Sequence, residues 1–345
     1  MRYNVGNATK MGMTIVGSTI GAGFASGREI WEFFGSYGAN SGIAIILSMS
    51  LIFIVSVIVL HVSWTYNTRN YLELFHHVMG VKMARYLDGF VALYLLTGTL
   101  VMLAGSGATF EQWSGSFITG SLVLALAVLV VLLFDLRGFM SINALLIPIM
   151  VVILIAVCIQ FLRSDSNHFT WITKEVISLP VWPSAIIYAA LNMISLIAVL
   201  SVMGGQIRHA AEIWIAGGVS ATCLGVVAYL FNYSLLHVKH LIPQYDIPLF
   251  ALLNDYSSLG TISVTLVLWL AIYTTAISNI YGLVFRISDW LRVPRIVIGI
   301  VIFLLLVPLS QLGFSNLVSI LYPLYGILSL YILVIFLLYP LSQSR

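Results

Sequence analysis

Unbroken apolar runs dominate the chain, with few alternating or amphipathic stretches between them. A membrane-spanning helix needs roughly 20 consecutive apolar residues. By that measure ten spans are predicted, near residues 11–34, 41–63, 85–110, 119–134, 140–162, 184–203, 211–236, 260–285, 294–311 and 315–340. The fourth and ninth are the shortest. Two connecting segments have an apolar pattern of their own. Residues 71–80, YLELFHHVMG, read as a short amphipathic helix, and 248–256, PLFALLNDY, as another opened by Pro248. Either would cover the mouth of a pathway. No cleavable leader is expected, because glycines interrupt the first apolar run and no small-residue cleavage site follows it.

Composition agrees with this pattern. Of 345 residues, 61% are hydrophobic and 8% charged. A soluble domain carries about 25% charged residues, so lipid must be the main solvent here. The length that would make two soluble domains makes one bundle in a membrane. A net charge of +3 gives no reason to expect a nucleic-acid partner. Cys158 and Cys223 lie within apolar runs and read as packing residues, not a disulfide framework.

Basic residues test the span count. With both termini cytoplasmic, the inner segments hold Arg2, Lys10, Arg69, Lys82, Arg85, Arg137, Arg208, Arg286, Arg292, Arg295 and Arg345. The outer segments hold Arg163, Lys174 and Lys239. Cytoplasmic loops attract positive charge, so this asymmetry supports the count and the orientation. Trp31, Trp64, Trp113, Trp182, Trp214 and Trp290 fall near predicted span ends, where indole rings favour the interface.

The first span holds Gly17, Gly21, Gly23 and Gly27. A dinucleotide fingerprint needs Gly-x-Gly-x-x-Gly between a strand and a helix, and neither the spacing nor the membrane context fits. Two readings remain. Gly17/Gly21 and Gly23/Gly27 are small-xxx-small pairs that let helices approach closely. Alternatively, Gly21 and Gly23 flank Ala22 in a helix broken at mid-membrane. Broken backbone is tolerated in hydrocarbon only where it lines a cavity or binds something. Ser18, Thr19 and Ser26 favour a wet site.

A second polar face lies in the eighth span, where Thr274 and Ser278, and Thr275 and Asn279, stand four residues apart. Hydroxyl and carbonyl oxygens suit a hard cation such as sodium. Hydroxyls bonded back to their own helix would leave the same pattern. In the sixth span Asn192 and Ser195 are the strongly polar central residues. Asparagine there needs a neighbouring helix, broken backbone or a ligand. Thr97 and Tyr188 join them as pocket candidates by depth, and Tyr188 and Trp269 are candidate aromatic walls for a quaternary amine.

The spans hold no Lys, Asp or Glu in their central parts, which disfavours a proton relay. His61, His76, His77, His168, His209, His237 and His240 all fall at span ends or in loops, so an intramembrane enzyme is not expected. No filter repeat or ring of like charges suggests a channel.

These residues resemble a known group. The stretch 15–34, IVGSTIGAGFASGREIWEFF, is similar to the YkvI-type bacterial membrane proteins of the amino acid–polyamine–organocation superfamily. That resemblance implies the leucine-transporter-type fold: two inverted repeats of five spans, here 11–162 and 184–340, with helices 1 and 6 discontinuous. It implies a single transporter domain in a bacterial cytoplasmic membrane, with no cofactor beyond a coupling ion. Its shared sodium site would take carbonyls from Gly17 and Ile20 and, at the Ala-x-x-Thr-Thr spacing, from Ala271 with the hydroxyls of Thr274 and Thr275. Phe24 replaces the asparagine that builds a second sodium site in relatives of the neurotransmitter type. The fifth span has no lysine to stand in for the ion. Arg28 falls near an outer-gate arginine, with Glu32 and Glu111 as candidate partners, or forms an ordinary pair with Glu32. A solute carboxylate would sit on backbone N–H groups around Gly21, Ala22 and Gly23. The implied activity is sodium-coupled symport of an amino acid or related amine. Proton coupling, and a sensor built on a transporter scaffold, are the alternatives.

Overall fold

The apolar runs fold as helices, and no strand occurs among the described residues of the computed structural model, which are 4–133, 139–164, 180–254 and 256–343. Arg2, Arg137, His168, Lys174 and Arg345 lie outside them, as does the side chain of Trp290.

The first span is divided into α1 (Val5–Thr19), α2 (Ala22–Ala25) and α3 (Arg28–Phe33). Then follow α4 (Ser41–Tyr66), the short α5 (Tyr71–Met79), α6 (Val81–Glu111), α7 (Phe117–Leu132) and α8 (Phe139–Ser164). The second half comprises α9 (Trp182–Leu200), α10 (Ala210–His237), α11 (Ser258–Leu291), α12 (Arg295–Ser310) and α13 (Phe314–Gln343). Seven segments are long and apolar enough to cross a membrane, and α7 and α12 are shorter apolar helices. The chain is a multi-pass membrane protein. Its outer faces carry bare aliphatic side chains, with Leu304 70% and Ile46 68% exposed, as a lipid solvent permits.

Segment 71–80 forms α5 as its pattern predicts. Pro248 opens a tight 3-10 helix, Pro248–Leu253, whose residues are all buried. The Leu249 N–H donates to the Ser26 carbonyl at 2.9 Å, so this connection is fastened to the turn between α2 and α3.

Helices pack in a definite order: α1 lies along α10, α9 along α13 and α4, and α6 along α11 and α7. Polar groups that cannot reach water are spent between helices. Ser48 Oγ donates to the Ala185 carbonyl at 2.8 Å, and Ser184 Oγ to the Phe33 carbonyl at 2.7 Å. Glu212, in the first turn of α10, accepts the Asn4 and Arg208 N–H groups at 2.9 and 3.1 Å.

One expectation is corrected. The sixth span is not interrupted in mid-membrane: α9 runs unbroken from Trp182 to Leu200. Its interior holds no glycine or proline, and Asn192 Nδ2 donates back to the Tyr188 carbonyl at 2.9 Å. The helix ends instead at a polar knot, where Ser63 Oγ and Thr68 Oγ1 both donate to the Ser201 carbonyl, at 2.9 and 2.6 Å. Gly204 N–H closes the knot on Ser63 Oγ at 3.1 Å.

Candidate functional site

The interruption of the first span begins where α1 stops at Thr19. Ile20 (φ −79°, ψ 83°) and Gly21 (φ −94°, ψ −172°) are not helical, and α2 starts at Ala22. The Ile20 N–H closes on Val16 and the Gly21 N–H turns back to Thr19. No backbone donor among the described residues reaches the carbonyls of Gly17, Ser18 or Ile20, and none of the N–H groups of Ala22, Gly23 and Phe24 finds a backbone acceptor. Such groups in a lipid-embedded protein imply a lined cavity. A second bend follows at Gly27, whose φ of +78° suits glycine and whose Cβ would stand 2.8 Å from Phe231. Ser26 stabilises the bend, donating to the Gly23 carbonyl at 2.7 Å and accepting the Arg28 N–H at 3.2 Å.

The cavity is there. It has a volume of about 420 Å³ and is lined by Gly17 through Gly23, and across the bundle by Ala271, Thr274 and Thr275 of α11. Thr97 of α6 and Asn192 and Ser195 of α9 also line it. It reaches Tyr71 of α5 and Arg286 near the end of α11. Both threonine hydroxyls donate to the Ala271 carbonyl, Thr274 at 3.1 Å and Thr275 at 2.8 Å, which leaves their oxygen lone pairs as acceptors. Thr97 is committed locally, with Oγ1 2.9 Å from the Leu93 carbonyl and 2.8 Å from the Tyr325 hydroxyl.

Other predicted residues lie elsewhere. Tyr188 does not line the cavity; it is fully buried between the rings of Phe33 and Phe34, at 5.3 and 4.8 Å between centroids. Trp269 also lies outside, stacked on Tyr273 and donating to Ser106 Oγ at 2.9 Å. Phe24 is fully buried. Arg28 pairs with Glu32 at 3.0 Å, the ordinary i, i+4 ion pair, and is also attracted by Asp246 in the α10–α11 connection. Glu111, exposed at the end of α6, is not paired with it.

Sequence reasoning missed two features. Tyr94, Tyr322 and Tyr325, from α6 and α13, add aromatic walls to the cavity. Glu29 also lines it and is only 7% exposed, contrary to the expectation of a centre without acids. Its position beside Arg28 in a polar-looking stretch of 15–34 was the available signal, but the bend at Gly27 decides where it faces.

This fold, with an interrupted first span facing a cavity, is that of leucine-transporter-type membrane proteins. The structure of MhsT in complex with L-phenylalanine matches at a TM-score of 0.64 and 17% identity, over 95% of this chain and 88% of that one. The inward-facing conformation of Mhp1 matches at 0.63 and 14%, over 93% and 73%. A Na⁺-coupled sialic acid symporter in a substrate-bound outward-open state matches at 0.58 and 10%, over 96% and 78%. In sequence, the chain is 37% identical to YyaD of Bacillus subtilis (strain 168), over 96% of each chain. It is 29% identical to the membrane protein YkvI of the same organism, over 96% of this chain and 95% of that one. The chain belongs to this YkvI-type family of membrane proteins. No family model matches it.

Proposed function

We propose that the chain is a secondary active transporter, not an enzyme, that couples sodium to symport of a small organic solute such as an amino acid or related amine. One observation carries the reading: the unpartnered carbonyls of Gly17 and Ile20 share a cavity with Ala271, Thr274 and Thr275. An all-oxygen, uncharged donor set of this kind suits a hard monovalent cation, and these five residues would hold it. Gly21, Ala22, Gly23, Thr97, Asn192 and Ser195 would form the solute pocket beside it. Ten spans in two inverted repeats, with cytoplasmic termini in a bacterial cytoplasmic membrane, would rock one bundle against the other around this site. Arg28 and Glu32, held near Asp246, would gate one mouth.

Proton coupling is the second reading, favoured by the buried carboxylate of Glu29 in the same cavity. Uptake into proteoliposomes with sodium replaced by potassium at fixed pH separates the two. Sodium coupling requires uptake to fall; undiminished uptake overturns it. Solute binding without flux would instead make the chain a sensor on a transporter scaffold.

A further inference from the structure

Glu29 has no role in the sodium-coupled reading above, and its surroundings are specific. It is 93% buried by residue surface, and no hydrogen bond or ion pair to its carboxylate occurs among the described residues. Its Oε1 lies against Gly23, in the space a Cβ there would fill, and the Tyr322 ring borders the same space. Tyr94 and Tyr322 line the same cavity as Glu29. The Tyr188 hydroxyl is itself buried without a hydrogen-bond partner. A buried carboxylate without a partner is costly, and its charge is held only by a counter-charge or given up by taking a proton; none of the protein's described groups supplies the counter-charge.

The cavity's charge balance points the same way. Its other charged lining residue among those described is Arg286. That guanidinium is already occupied: it pairs with Asp88 Oδ1 at 3.0 Å, donates to the Asp88 carbonyl at 3.0 Å, and lies 5.3 Å from the Tyr71 ring centroid. One uncompensated acid therefore faces the cavity, with aromatic rings around it. Carboxylates and aromatic faces together suit a positive charge. A solute carboxylate was expected on the unpartnered N–H groups at Ala22 and Gly23, but the Glu29 carboxylate already lies against Gly23, and its charge would repel an anion there.

We propose that Glu29 is the counter-ion for a cationic group of the solute, and that the cavity takes a small organic cation, an amine or guanidinium compound without a free carboxylate. Glu29 fixes the charged group, and Tyr94 and Tyr322 wall it in. This inference rests on the transporter reading, of which it names the substrate class.

The test uses matched series on the full-length protein in nanodiscs: leucine, isoamylamine and 4-methylpentanoate; and arginine, agmatine and 5-guanidinopentanoate. Thermal stabilisation is titrated for each compound in wild type, Glu29→Gln and Glu29→Asp. Expected is stabilisation of the wild type by at least one amine or guanidinium compound lacking a carboxylate, at least tenfold weaker in Glu29→Gln, with partial recovery in Glu29→Asp. Sodium-dependent stabilisation, read in the same variants without solute, reports that the fold survives. Equal or better stabilisation by a carboxylic acid or an amino acid, or an amine response unchanged in Glu29→Gln, overturns the inference. Flux measured in proteoliposomes separates the two levels. Transport of an acid, undiminished in Glu29→Gln, removes the cation assignment and leaves a transporter. Amine binding that depends on Glu29, without any flux, removes the transporter and leaves the cation site.

Discussion

The carboxylate of Glu29 occupies the space that a side chain on Gly23 would need. Two residues six apart, on separate short helices, are folded onto each other by the bend at Gly27. The two glycines around Ala22 are therefore not equivalent. A Cβ on Gly23 meets Glu29 and the Tyr322 ring at 3.0 Å, whereas one on Gly21 meets nothing within 4 Å.

Gly23→Ala should lower stability by about 1–2 kcal/mol, near the low end for overpacking, because the flexible end of Glu29 can yield. Gly21→Ala should stay within about 0.5 kcal/mol, since its extended backbone is open to any residue. Thermal denaturation of both variants in detergent checks this. Equal losses would mean that close packing, not displacement of Glu29, decides both positions.

Thr275→Val keeps the shape of the side chain and removes an oxygen from the proposed ion site. The sodium concentration for half-maximal thermal stabilisation should rise about tenfold, the equivalent of about 1.4 kcal/mol. The response to potassium should not change. A full sodium response in the variant would place the ion elsewhere.

The Arg28–Glu32 pair is mostly shielded from solvent, with side chains 12% and 22% exposed. Glu32→Gln should cost about 2 kcal/mol, between the values for exposed and fully buried pairs. Asp246→Asn should add to that loss by more than it costs alone, because each acid compensates for the other. A double-mutant cycle read by thermal melts measures the coupling. Simple additivity would show that Asp246 is too well screened to matter.

Gly204→Ala attacks the knot that ends α9. A Cβ there collides with the backbone carbonyl of Ser63, which no side-chain rotation relieves. A loss of about 3 kcal/mol or more is expected, from overpacking together with broken buried hydrogen bonds. Gly205→Ala is the control, since the nearest atom to its Cβ is Asn67 Oδ1 at 3.3 Å. Melting temperatures of the pair decide it, and similar values would show that the knot carries no stability.

Much of the architecture was legible along the chain because lipid imposes a simple rule. An uninterrupted apolar run of sufficient length becomes a helix, and Asn70, whose side chain accepts the Glu73 N–H at 2.9 Å, starts α5 where the pattern changes. The glycines at 21 and 23 marked a weak point in the first span for the same reason. The break expected in the sixth span came from the resemblance, not from its own residues. Asn192 satisfies itself on its own helix, and without an internal glycine or proline α9 has no cause to break.

Sequence by itself determined that the chain is built of long apolar helices crossing a membrane and which residue types line a polar interior. The resemblance of those segments to known transporters, not their spacing, marked Gly17, Ile20, Thr274 and Thr275 as a set. Tertiary structure alone decided which side chains share one cavity. Tyr94, Tyr322 and Tyr325 come from helices more than two hundred residues apart and meet only through packing. Tyr188, at a suitable depth, is turned away by the rings of Phe33 and Phe34. Glu29 faces inward because Gly27 can adopt a positive φ and rotates α3 relative to α2. A rotation set by one dihedral angle changes the direction of every later side chain, and no spacing rule along the chain records it.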